Sequence, residues 1–321
     1  MNTPRRYLPL IVLIFLTSTL RAQVGPALLQ MTWEKDQYFD TVDSGLFEAA
    51  AHTDGPGDPD VRISSYHFLG GYRLEPGNVG STRIGFDVQD YDIVGHNPEL
   101  PRNLLDSQIG FIQPILNINK WFVVVGGSLG FDGNKPFTGS NSVYATGDVI
   151  AGRQFNKDQW LFVGLDYNGN RTFLPDCPIP GFAYANRLND YCTYVLGLPY
   201  SQVTFYPIEG FQFEAGFQLV ETFDANLGYQ FNKHVAVFGQ YTDKYNPFHV
   251  QDTSPDSRLF FESHQLEVGL RFNGPRSIRL SVSGGWAFGQ EFSTGFDSRN
   301  NTPLVHVADA PFAKVKLEIA F

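Results

Sequence analysis

From Val61 onward the chain alternates hydrophobic and polar residues with a period of two, over stretches of nine to thirteen residues. "STRIGFDVQD" puts Ile84, Phe86 and Val88 on one face and Arg83, Asp87 and Gln89 on the other. "WLFVGLDYNG", "TFDANLGYQF", "HQLEVGLRF" and "SIRLSVSGGWAF" repeat the pattern, and so does the final "PFAKVKLEIAF". Its greasy face is Ala313, Val315, Leu317, Ile319 and Phe321; Lys314, Lys316, Glu318 and Ala320 form the other. Unbroken period two is the mark of strands with one apolar and one polar side. These strands are longer than the usual five or six residues. In 107–118 both faces carry apolar residues, which leaves that strand without an orientation.

A repeat punctuates the strands. "RQFNKDQWLFV", "YQFNKHVAVFG" and "RFNGPRSIRL" share an aromatic, then Asn, then Lys or Gly, then fresh alternation; "LNINKWFVV" is a looser copy. Asn and Gly tolerate the positive φ of tight turns. Short turns are therefore expected near 117–120, 156–158, 208–210, 232–234 and 273–276. Longer connections are expected at 92–105, 132–141, 171–198, 246–258 and 291–310. Short turns at one end and long loops at the other are the layout of an outer-membrane barrel. Phe155, Phe231, Phe272 and the terminal Phe321 then form a rim girdle. Arg153 shares their parity, which asks for snorkelling at the rim or a bulge.

Energetics orient the faces. A mid-membrane Lys costs about 2–4 kcal/mol on the lipid side of such a barrel. Lys314, Lys316 and Glu318 must therefore look inward, and with them Arg83, Asp87, Asp166, Glu214, Asp224, Glu267, Arg271 and Arg279. The expected fold is an all-β, antiparallel up-and-down transmembrane barrel over residues 61–321, of 14 strands with 12 as the alternative. Residues 23–60 supply an acidic loop and a first strand, with 28–36 as its natural source. A secreted β-sandwich also alternates, but it explains neither strands this long nor the rim aromatics.

Composition and charge sharpen this picture. The 321 residues include 29 Phe, 15 Tyr and 32 Gly but only 17% charged residues, which fits a β-rich chain. "MNTPRRYLPLIVLIFLTSTLRAQ" reads as a signal peptide over 1–22: Arg5 and Arg6, an apolar run, and a small residue, Ala22, at the cut. Its removal takes away three basic and no acidic residues, leaving 20 against 33, or −13. Such an acidic exported chain is a poor partner for nucleic acid. Cys177 and Cys192 are expected to form one loop disulfide.

Little in the sequence points to catalysis. The seven histidines lack paired metal spacing, and "HTDGPGDPD" (52–60) fits no calcium loop. "GGSLG", with Ser128 in the nucleophile's place, lacks the helix a nucleophile elbow needs. His249, Asp252 and Ser254 have the residue types of a triad, which polar loop composition also produces. No enzyme, catalytic residue, metal or cofactor is expected.

The signal, the Phe-Asn-Lys hairpins and the terminal "KVKLEIAF" together resemble bacterial outer-membrane β-barrels. "GLPYSQVTFYPIEGFQFEAGF" with "ANLGYQFNKHVAVFGQY" is similar, more narrowly, to an uncharacterised outer-membrane barrel family known only as a domain of unknown function. The resemblance implies a Gram-negative-type outer membrane, contact with its lipid, and insertion by the barrel assembly machinery. Val315, Leu317, Ile319 and Phe321 would be the C-terminal signal that machinery reads. The implied function is porin-like passage of small-molecule solutes. A non-transporting structural or surface-binding barrel is the alternative, and a lipid-active outer-membrane enzyme a more remote one. Oligomeric state is open.

Overall fold

The computed structural model describes residues 37–40, 46–48, 51–52 and 60–320, apart from 76–77, 79, 96, 136–141, 219–221, 252–253, 255 and 276–277. The described residues form one antiparallel sheet with neighbours in chain order, curled until its ends meet. Its strands begin with three short pieces, β1 (Gln37–Asp40), β2 (Leu46–Glu48) and β3 (Ala51–His52). Then come β4 (Asp60–Arg73), β5 (Arg83–Val94), β6 (Asn103–Ile118), β7 (Trp121–Gly133), β8 (Val143–Asn156) and β9 (Gln159–Asn168). A lower stretch of wall follows in β10 (Ile179–Arg187), β11 (Cys192–Leu198), β12 (Tyr200–Phe205), β13 (Phe211–Gln218) and β14 (Thr222–Gln230). The tallest part is β15 (Val235–Phe248), β16 (Arg258–Asn273) and β17 (Ile278–Gly295), and β18 (Thr302–Val307) and β19 (Ala310–Ala320) complete the ring.

Closure runs through the first pieces. Phe39 pairs Ile319 on one side and Gly70 on the other, and Phe47 pairs Ala313 and Ser64. β1–β3 are thus one interrupted stave, as are β18 and β19, which both pair β17. Counted so, the described residues form sixteen staves rather than fourteen. The expected first strand at 28–36 lies outside the described residues.

The two extra staves come from 171–198, expected as a long loop but folded into β10, a turn at 188–191, and β11. Pro178, Pro180, Gly181 and Pro199 break the alternation that would have revealed these strands. This also removes the disulfide. Cys177 precedes β10 and Cys192 follows it, so the nine residues of that strand separate them. At about 3.3 Å per residue that is roughly 30 Å, against the 7 Å or less between Cα atoms that a disulfide requires. Both thiols are free.

Burial is inverted relative to a water-soluble sandwich. On β16, Gln265 and Glu267 are 4% and 3% exposed, while Leu266, Val268 and Leu270 between them are 54%, 62% and 44% exposed. The unoriented strand β6 turns Ile112 inward and Ile109 and Phe111 outward, and a bulge between Pro114 and Leu116 resets its phase. Arg153 keeps its outward parity, paired with Trp121 and Leu161. A register shift follows it at Gln154/Asn156, and its guanidinium lies over Trp121 and Phe155, 5.2 and 5.4 Å from the ring centres.

Candidate functional site

The lumen is where the chain gathers its polar chemistry, because inward side chains alternate with the exposed apolar ones. Arg83, Asp87, Asp224 and Glu267 are buried in the inner wall. Glu267 accepts from Lys314 at 3.1 Å and from Ser283 at 2.8 Å. Lys316 and Glu318 pair at 2.8 Å, Arg279 stands opposite Glu318, and Arg271 lies over the Phe238 ring. Glu214 accepts from Gln202 and Gln212, and Asp166 is bound by Arg171. Val315 is exposed on the outer face, while Leu317 and Ile319 are half-buried. Phe321 lies outside the described residues.

The register adds inward acids that the alternation alone did not single out. Asp106 on β6, Asp132 on β7 and Asp148 on β8 are all buried. Tyr144 donates to Asp106 at 2.6 Å, and Ser128 bonds Gln108 and Thr146 at 3.1 and 2.6 Å. Ser128 therefore sits mid-strand in a polar ladder, not on an elbow. His249 Nδ1 lies 2.9 Å from Asp132, 117 residues away. Asp252 is outside the described residues.

The loop end of the lumen is bridged. An apolar cluster joins Val61, Ile63, Tyr91, Ile93 and Leu104 of β4–β6 to Phe248, Leu259, Phe261, Phe292, Val305 and Val307 of β15–β18. Around the ring β18 lies two staves from β4, while β15 and β6 stand seven staves apart. Tyr91 meets Phe248 and Phe261 edge-on, and Phe261 stacks on Phe292 at 4.6 Å. Polar contacts frame the cluster: Asn246 donates to the Tyr91 hydroxyl at 2.6 Å, and Arg258 donates to Asn170 and to the Arg171 carbonyl. Approach is close at Gly133, where an added Cβ would stand 2.5 Å from the His249 carbonyl oxygen. In the nearby loop, hydrogen bonds from Arg299 hold the Asp297 carboxyl below the usual carboxylate range, against the opposing effect of burial.

Four histidines have carboxylate partners that spacing along the chain concealed: His67 with Asp87, His249 with Asp132, His264 with Asp243 and Glu262, and His306 with Glu291. The first two face the lumen and the others face outward. No described helix is long and apolar enough to cross a membrane, which says nothing of strands. The chain matches no known family model and no curated protein, so neither the general outer-membrane resemblance nor the narrower one gains support from a relative.

Proposed function

We propose that the protein is an outer-membrane barrel, inserted by the barrel assembly machinery, whose lumen passes small polar or amphipathic solutes when its loop end opens. The inversion over most of the wall supports this reading most directly: buried charged and amide side chains inside, exposed Leu, Val, Ile and Phe outside. Buried polar groups are costly in an apolar core but natural along a hydrated passage. Exposed apolar residues over most of a wall are costly in water and natural in lipid.

The apolar bridge favours a second reading, a non-transporting structural or surface-binding barrel, because a lumen sealed at one end carries no solute. Single-channel conductance of the refolded mature protein in planar bilayers separates the two. Phe292→Ala removes a fully buried member of the bridge, and Gly133→Ala forces the facing walls apart. Passage predicts stable ohmic steps in the wild type that become more frequent or larger in both variants. Silence from all three proteins, each verified as folded and inserted, refutes passage and leaves the structural reading.

A further inference from the structure

We propose that Asp243, Glu262 and His264 form a divalent-cation site on the outer face of the tall wall. Their inward neighbours Thr242, Lys244, Ser263 and Gln265 are buried, which places the three on the opposite side of β15 and β16. One ligand atom from each lies within 4.8 Å of the others. His264 Nδ1 is 3.0 Å from Asp243 Oδ1, and Nε2 is 3.6 Å from Glu262 Oε1.

The backbone is shaped around this imidazole. The β16–β17 register shifts between Glu262 and His264, and the extra residue falls at Gly289, whose φ is +57°. A Cβ there would stand 2.8 Å from His264 Cδ2, so the left-handed glycine both makes the bulge and leaves room for the ring. Tyr241 lies nearly parallel to the imidazole at 12°, and Phe288 packs 5.6 Å away. The ring is held in place before any ion arrives.

Charge supplies an independent argument. Glu262 stands directly opposite Glu291 across β16–β17, and like charges in that position repel. His306 lies 3.0 Å from Glu291. Three carboxylates thus share two rungs with two imidazoles. A divalent cation between them would remove the repulsion and take an imidazole nitrogen of His264 as a donor. One imidazole with two carboxylates suits Zn²⁺-like ions, whereas Ca²⁺ and Mg²⁺ prefer all-oxygen shells. The competing arrangement is an imidazolium clasped between two carboxylates with no ion. The site does not depend on whether the barrel conducts.

The test is Zn²⁺ titration of the chelator-treated, refolded barrel in detergent, followed by calorimetry and by unfolding temperature. Saturable one-to-one binding is expected, with micromolar affinity and a rise in unfolding temperature. His264→Gln and Glu262→Gln should each weaken it at least tenfold, while His306→Gln changes it by less than threefold. Zn²⁺ should also shield His264 of the unmutated barrel from histidine-directed acylation, a readout that needs no variant to fold. Absence of saturable binding overturns the proposal. So does undiminished affinity in folded His264→Gln, or acylation of His264 that Zn²⁺ leaves unchanged.

Discussion

Placing a lysine at Val268 distinguishes a lipid-facing wall from a water-facing one by a margin large enough to measure. Val268 is 62% exposed, and its cross-strand neighbours are Gly239 on β15 and Gly284 on β17. No adjacent side chain would screen a charge there. In water, Val268→Lys at so open a position should change stability by no more than about 0.5 kcal/mol. Facing the middle of a bilayer, it should cost about 2–4 kcal/mol. At about 1.4 kcal/mol per decade, that is a roughly 30- to 700-fold fall in the folded-to-unfolded ratio. Ile278→Lys is the internal control: it faces the same way but is the first residue of its strand, where the cost falls to about 0–1 kcal/mol. Reversible urea titration of both variants into lipid vesicles, followed by tryptophan fluorescence, gives the two numbers. A Val268→Lys cost within 0.5 kcal/mol of wild type, or equal to that of Ile278→Lys, would refute the lipid-facing assignment.

Two further predictions follow from the loops and the cysteines. Asp297 has its carboxyl pKa depressed by Arg299, so its contribution is present above the unfolded carboxylate pKa and is lost as pH falls through the lower folded value. Hydrogen exchange in 296–301 should therefore stay protected down to about pH 4 and lose protection below it, and Asp297→Asn should remove that acid-dependent step. The free thiols at opposite ends of β10 predict two reactive groups per unfolded chain under non-reducing conditions. A count of zero would mean that the cysteines pair and that β10 does not separate them.

Much of the wall was legible because alternation and turn chemistry are local. The turns at 119–120, 157–158 and 231–234, and the break after Asn273, fall where the Asn-Lys and Asn-Gly signals put them. The hairpin β10–β11 was hidden because proline, glycine and a pair of cysteines in an Asn- and Asp-rich stretch look like a loop. There the neighbours' hydrogen bonds, Ala183 to Phe162 and Gly197, enforce strand where local preference does not. Two missed staves changed the count to sixteen and cancelled the disulfide.

The sequence by itself determined that the chain alternates, where it turns and which face is polar, since each depends on residues a few positions apart. Only the tertiary structure decided what the inward residues meet. Asp132 finds His249 across 117 positions, Tyr91 finds Asn246 across 155, and Phe261 meets Tyr91 from a strand that is not its neighbour. The outward trio of Asp243, Glu262 and His264 likewise appears only when β15 and β16 pair in register. A period of two tells each residue which side of the wall it occupies. Which residues it meets there depends on closure and register, set by hydrogen bonds between strands far apart in the chain.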